Sequence, residues 1–303
     1  MNFDVQFLKG TAVADQIYHE VAQEVKKCTE PPMLAVILVG CDPASETYVA
    51  VKSNACSRMG IKFRLVRKKE DVTTQDIIKA VQVLNHDELV SGILIQLPLP
   101  KHIDENCCLE SILPEKDVDG FHSKNMGRLC QGDPLLAPAT AVAIKEVLDF
   151  YRVELRGIHC VIVGKGRVVG RPTAILLASE EAAGATVTVC DKNTKDLHAL
   201  TSLADVLIVA CGVHHLIDMS YRLKKNCVII DTGMHKVEDG AMKRGYRLEG
   251  DVNFDEVKRC DPRITPVPGG IGPVTVASLL RNVMIAVKIQ KKKNLKPILL
   301  EMR

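Results

Sequence analysis

The residues from Val161 to Leu177, VIVGKGRVVGRPTAILL, decide the fold. An apolar, β-rich run ends in a knot of glycines and basic residues, and a run of helix formers follows. Glycine allows close approaches and backbone angles that a Cβ forbids, so a strand can turn tightly into a helix there. The amide end of such a helix faces the turn and suits a phosphate. The glycines Gly164, Gly166 and Gly170 follow GxGxxxG rather than the usual GxGxxG. Alone, that spacing fits a plain βα turn as well as a cofactor loop. The next apolar run ends at Asp191, twenty-one residues past Gly170, where an acidic group would meet an adenosine ribose.

Outward from this loop, HCVIVG, ATVTVCD, DVLIVACG, CVIIDTG and ITPVPGG are short apolar runs separated by helical stretches. Buried parallel strands read this way, so the second half is expected to be a Rossmann dinucleotide-binding domain. The first half shows the same alternation: MLAVILVG, IKFRLVRK and SGILIQLPLP as strands, SETYVAVKSNACSRMG and TTQDIIKAVQVLNHD as helices. Strand, helix, strand in this order implies an α/β domain with a parallel sheet and right-handed crossovers. Pro114 to Pro138 is rich in turn residues and reads as a long functional loop. ATAVAIKEVLDFYRV reads as a helix leaving the first domain, and Pro273 to Gln290 as a long amphipathic helix.

With 303 residues, 47% hydrophobic and 25% charged, the chain has the composition of a globular protein and room for two domains. A net charge of +3 is too small to argue for a nucleic-acid or membrane partner. The basic run from Lys288 to Lys296 reads as a solvated tail. No segment is expected to reach the roughly 20 apolar residues of a membrane helix. Eleven cysteines without CxxC spacing fit a reducing compartment with mostly buried thiols, and the N-terminus does not resemble a secretory signal.

Tyr48 and Lys52, four residues apart on one helix, share a face. They are either a surface lysine packed on a tyrosine or a partly desolvated lysine tuned for proton transfer. Gln96 interrupts an apolar run at the C-terminal end of a strand, the edge where α/β sheets bind ligands. A buried amide there either caps a loop or addresses a ligand. Asp117 and Asp119 in DVDGF fit an Asx-type turn, and no His or Cys at ligand spacing accompanies them, so no metal is expected. TPVPGGIGPVT, from Thr265 to Thr275, reads as a rigid loop whose amides are available to a ligand.

Taken in order, YVAVK, IQLPLP, PEKDVDGFHSKNMGRL, GKGRVVGRP and TPVPGGIGP resemble the methylenetetrahydrofolate dehydrogenase/cyclohydrolase family over nearly the whole chain. The resemblance implies a folate-binding catalytic domain over residues 1–141, completed by a C-terminal helix over 273–303, and a Rossmann domain over 142–272. It implies a folate cleft between the two and a homodimer; the cysteine usage and N-terminus point to the cytoplasm, with the mitochondrial matrix as the alternative. It also implies oxidation of 5,10-methylenetetrahydrofolate to the methenyl form with a nicotinamide cofactor, then hydrolysis to 10-formyltetrahydrofolate. Lys52 matches the catalytic lysine, Gln96 its partner, Tyr48 a residue packed on the folate and Asp119 the pterin anchor. Ile95, Leu97 and the loop Pro268, Gly269, Gly270, Ile271 and Gly272 fall among the substrate contacts. Gly164, Lys165, Gly166, Arg167, Asp191, Lys192 and Met234 fall to the cofactor.

The departures from the family pattern lie mostly around the adenosine ribose. GKG stands where GRS is usual, and Asp191–Lys192 stand where HS is usual. Lys165, Arg167 and Lys192 favour the 2′-phosphate of NADP, whereas Asp191 favours the free hydroxyl of NAD. Three cations against one anion favour NADP. The linker also carries Pro138-Ala139-Thr140-Ala141 in place of PCTP. The competing readings are a Rossmann dehydrogenase for another small substrate, an NAD-dependent monofunctional dehydrogenase, and a non-catalytic folate- or nucleotide-binding regulator.

Overall fold

In the computed structural model, residues 6–242, 245–260 and 262–291 are described. The chain divides into two compact units. One comprises residues 15–139 and the stretch from 276 onward; the other comprises residues 1–14 and 140–275. The strands are β1 (Gln6–Phe7), β2 (Met33–Val39), β3 (Lys62–Lys68), β4 (Gly92–Ile95), β5 (His159–Val163) and β6 (Thr186–Cys190). They continue with β7 (Val206–Val209), β8 (Val228–Asp231), β9 (His235–Glu238), β10 (Tyr246–Glu249) and β11 (Arg263–Ile264). The helices are α1 (Gly10–Lys26), α2 (Pro43–Met59), α3 (Thr74–His86), α4 (Glu105–Glu110) and α5 (Ser123–Cys130). After them come α6 (Ala139–Phe150), α7 (Gly170–Ala178), α8 (Leu197–Thr201), α9 (Phe254–Val257) and α10 (Ile271–Lys291).

In the first unit the sheet order is β3-β2-β4, all parallel, with Val36 opposite both Leu65 and Leu94. Every residue of β2 is buried, as a central parallel strand covered on both faces must be. α2 starts where the Asp42 carboxylate accepts the Ser45 amide at 2.8 Å and Pro43 presets the first turn. It stops at Gly60, which adopts the left-handed conformation and donates its amide back to Cys56. α3 buries Ile77, Val81 and Leu84, at helical spacing, against Ile37, Ile93 and Ile95. β4 ends at Ile95 because Pro98 and Pro100 beyond it have no amide to donate.

The segment from Pro114 to Pro138 is more ordered than the loop expected of it. It contains α5 and a parallel bridge between Ile93 and Asp117. Its glycines and asparagine mask the helical pattern, and fully buried Asn125 anchors it through a bond to the Pro114 carbonyl at 2.9 Å.

In the second unit six parallel strands run in the order β1-β11-β8-β7-β5-β6, and β9 and β10 form a separate antiparallel pair. The five expected strands of this half are present as β5, β6, β7, β8 and β11. β1 pairs Gln6 with Arg263, so residues 6–14 group with this unit, whereas the expected boundary placed them with residues 15–139. A two-residue strand has no periodicity to read, and its partner lies far along the chain.

One expectation about membranes is corrected. α10 has 21 residues and a mean hydropathy of 1.3 over 18 of them, so its length and composition meet the requirement for a membrane crossing. Yet 61% of that stretch is buried within the protein, the mark of a core helix. Asn282, on its buried face, donates to the Val118 carbonyl at 2.8 Å and the Ala137 carbonyl at 2.9 Å. Of the basic run, Lys288 pairs with Glu24 at 2.9 Å; Lys292 and everything beyond it lie outside the described residues.

Candidate active site

α2 places Tyr48 and Lys52 one turn apart, beside the end of β4. The Lys52 ammonium donates to Gln96 Oε1 at 2.9 Å. The Gln96 amide nitrogen donates to the Leu97 carbonyl at 2.8 Å. These two bonds fix which end of the Gln96 amide faces the lysine, and only 8% of the residue is exposed. The buried amide therefore both caps its own loop and addresses the lysine. Ile95 is buried at the last position of β4, and Leu97 is half-buried. The Tyr48 side of α2 is open: the residue keeps 40% of its surface, enough to present a ring face.

Burial pushes the Lys52 amine below its ordinary range, and the Asp119 carboxylate partly opposes that shift. Burial raises Asp119 to about 6; Lys52 lowers it and Asp117 adds to the rise. A lysine and a carboxylate thus share one desolvated pocket, each pulled toward neutrality. Cys56, one turn beyond Lys52, is raised to about 12 by burial, so it stays a thiol and is no nucleophile.

The two aspartates of DVDGF have different jobs. Asp117 is 1% exposed and accepts the His122 amide at 2.8 Å and the Asn125 side-chain amide at 2.9 Å, so it builds the turn. Lys116, also buried, donates to the carbonyls of Leu84, Asn85 and Asp87 and ties the segment to the end of α3. Asp119 is the aspartate of the segment that couples electrostatically to Lys52. The supports Lys116, Asn125 and Asn282 are absent from the sequence reading. The nearest signal is an asparagine set inside the apolar run of α10.

In the second unit the glycine loop is built by contact. Gly164 has φ +124°, and a Cβ on it would lie 2.2 Å from the Ala210 carbonyl oxygen. A Cβ on Gly170 would lie 1.7 Å from the Gly164 carbonyl oxygen. A Cβ on Gly166 would meet nothing within 4 Å among the described residues beyond its chain neighbours, so the loop opens there into space. α2, α3 and α4 begin on side-chain caps, but α7 begins at Val169 with none. An open glycine cradle at an uncapped helix start is what a dinucleotide phosphate requires, so these residues fit the cofactor.

Around the expected ribose position, Lys165 Nζ lies 3.3 Å from Asp191 Oδ2. Asp191 Oδ1 accepts the Asn193 amide at 3.0 Å and the Thr194 hydroxyl at 3.3 Å. The Asn193 amide and then Lys165 hold this carboxyl below its usual range. Lys165 and Asp191 therefore largely offset each other. Lys192 is exposed and Arg167 half-buried.

The proline–glycine loop belongs to the same unit. Gly269 has φ +104° and accepts the Gly10 amide at 2.9 Å, and Ile271 is buried at the start of α10. Pro268 is exposed. Met234, 45% exposed, would lie 3.9 Å from a Cβ on Gly272, so these two positions adjoin. Two buried aspartates organise the neighbouring strand ends and were not anticipated. Asp231, raised to about 6 by burial, accepts the amides of Gly233, Asp251 and Val252. Asp251 accepts those of Cys211 and Gly212. An aspartate closing an apolar strand in IIDTG was the available signal for the first.

Both units match models of one family. Residues 8–119 match the tetrahydrofolate dehydrogenase/cyclohydrolase catalytic domain, and residues 138–291 match its NAD(P)-binding domain. The chain belongs to this family. It is 42% identical to the bifunctional protein FolD of Brevibacillus brevis over 288 residues, covering 94% of this chain and 98% of that protein. The bifunctional enzyme FolD of Campylobacter jejuni has a similar structure, with TM-score 0.86, 40% identity and coverage of 94% and 99%. The Trypanosoma brucei FolD, solved with NADP cofactor and an inhibitor, gives TM-score 0.88 at 36% identity, with coverage of 96% and 100%. The family's two named domains thus coincide with the lysine group and with the glycine loop.

Proposed function

We propose that the protein oxidises 5,10-methylenetetrahydrofolate to the 5,10-methenyl form with NADP and hydrolyses that product to 10-formyltetrahydrofolate. The observation that carries the reading is the Lys52–Gln96–Asp119 group, a desolvated lysine oriented by a buried amide. The bound nicotinamide supplies a hydride acceptor for the methylene carbon. Tyr48 offers an open ring against which the flat folate stacks, and Asp119 accepts hydrogen bonds from the pterin. Ile95 and Leu97 line the floor beneath it.

In the hydrolytic step water attacks the bridging methenyl carbon. Lys52 Nζ, in its neutral form, takes a proton from that water. Because Gln96 Oε1 accepts one Nζ hydrogen, the lone pair is held in a fixed direction. On collapse of the adduct Lys52 returns the proton to the folate N5, the adduct hydroxyl gives up its own to solvent, and the formyl group stays on N10. Pro268–Gly272 are proposed to contact folate, and Gly164–Arg167, Lys192 and Met234 the dinucleotide.

NADP is favoured because Lys192 and Arg167 accompany a Lys165–Asp191 pair that carries no net charge. The second reading, NAD dependence, rests on the Asp191 carboxylate alone. The eleven cysteines, none of which forms a disulfide among the described residues, support a reducing compartment, the cytoplasm with the mitochondrial matrix as the alternative, and the same reading includes a homodimer. The test is methylenetetrahydrofolate oxidation with each nicotinamide, following methenyl absorbance and its decay. Absorbance that rises and decays faster than the uncatalysed rate is expected; none with either cofactor would sink the proposal.

A further inference from the structure

At the C-terminal edge of the second unit's sheet, three side chains that the proposed reaction does not use converge on one point. His214 and His215 lie in the loop after β7, and Glu249 ends β10. His214 Nε2 is 2.6 Å from Glu249 Oε2, and His215 Nε2 is 3.2 Å from the same oxygen. One donor atom from each residue lies within 4.8 Å of the others. Tetrahedral N/O coordination at 2.0–2.1 Å sets donors about 3.3 Å apart, so to admit an ion the two rings rotate out of their stack until both Nε2 lone pairs aim at one point beside the Glu249 carboxylate.

The backbone is bent to achieve this. Neighbours in an extended chain point to opposite sides. His215 instead has φ 54°, and the two imidazoles stack with centroids 3.8 Å apart. A non-glycine residue in that region costs on the order of 1 kcal/mol and persists only where its surroundings hold it. The surroundings do hold it. Arg247 Nε binds the other Glu249 oxygen at 2.5 Å and orients the carboxylate. His235, whose ring is 5.3 Å from that of His214, binds Asp251 at 2.7 Å, and Asp251 holds the Cys211 and Gly212 amides of the same loop. The side chains of His214, His215 and Glu249 remain 39%, 32% and 18% exposed, which leaves an entry path.

We propose that His214, His215 and Glu249 bind a divalent transition cation of the zinc, cobalt and nickel class, clamping the β7 loop to the β9–β10 hairpin. Two imidazoles with one carboxylate suit those ions better than magnesium or calcium, which prefer all-oxygen sets. A central carboxylate argues against an anion. Sequence spacing hides the site, because His215 and Glu249 are 34 residues apart and only the sheet topology joins them.

The test is cobalt titration of the chelator-treated full-length protein, read by visible absorption and by calorimetry, with zinc as competitor. One saturable equivalent, displaced by zinc, is expected. His215→Asn and Glu249→Gln should each weaken it tenfold or more. Asparagine tolerates the left-handed backbone, so an unchanged melting temperature of metal-free His215→Asn separates lost ligation from lost folding. Absence of a saturable equivalent overturns the proposal. So does full-strength binding in both variants, or a near-ultraviolet thiolate band, which would place the ion on cysteines.

Discussion

The lysine pocket and the glycine loop solve opposite problems. Around Lys52 the protein removes water from ionisable groups: the lysine is pulled down and Asp119 raised to about 6, and one buried amide sets the geometry. Around Gly164 the charges stay near solvent, and backbone shape carries the specificity: Lys165 is 51% exposed while two glycines touch carbonyls that no Cβ could approach. On the function proposed above, chemistry rests on desolvation in one place and binding on close approach in the other. Substitutions should therefore act through charge and proton transfer in the first unit and through sterics in the second.

The largest expected effect is at the lysine. Lys52→Met removes the proposed proton carrier while keeping much of the side-chain volume, and a positioned general base is worth about 10²–10⁴-fold. Decay of added methenyltetrahydrofolate should slow by that factor, with folate affinity changed far less. Decay at the unaltered rate would show that desolvation of this amine serves packing alone.

Next comes the partner of that lysine. Asp119 has a folded value near 6 against 3.8 as a free group. A group raised on folding contributes stability that is full below its unfolded value and lost as pH rises through its folded one. Asp119→Asn should therefore gain on the parent between pH 4 and 7, by up to about 3 kcal/mol, in denaturant titrations. The same change removes the charge that supports protonated Lys52. The alkaline rise of hydrolytic kcat should then move to lower pH. A profile that stays put would show that the two groups are not electrostatically linked.

How much of this was legible in the sequence divides along the same line. The parallel strands, α2 with its cap and glycine stop, and the glycine loop all announce themselves, because local chemistry fixes them. The lysine's partners could be named only through a family resemblance, since 44 residues separate Lys52 from Gln96 and only the fold brings them together. Asn282 shows the limit: it supports the Asp119 turn from a helix more than 160 residues away, through carbonyls that any residue type would supply. β1 was illegible for a similar reason, being two residues whose strand character comes wholly from β11.

In the glycine loop the expected effect is structural. Gly170→Ala sets a Cβ 1.7 Å from a backbone oxygen, where no flexible side chain can yield. The strain should cost about 1–3 kcal/mol in denaturant titrations and weaken dinucleotide binding at the same time. Gly166→Ala meets open space and should leave stability unchanged, so the pair separates steric fit from glycine content. Equal losses at both positions would break the contrast drawn above.

The smallest expected effect is at Asp191, and it tests cofactor choice. Its carboxylate is held by the Asn193 amide and Lys165 at a solvent-facing position, where a charge pair is worth about 0.2–1 kcal/mol. Asp191→Ser takes the anion away, frees Lys165 and retains a hydroxyl. Affinity for NADP should rise roughly two- to fivefold relative to NAD, because a released cation can meet a 2′-phosphate that the carboxylate repelled. The ratio should narrow as salt is added, since exposed charges are screened within about 10 Å at 0.1 M. If the substitution instead lowers NADP affinity at every salt concentration, the loop uses Asp191 to aim Lys165, and the pair is a positioning device rather than an opposition of charges.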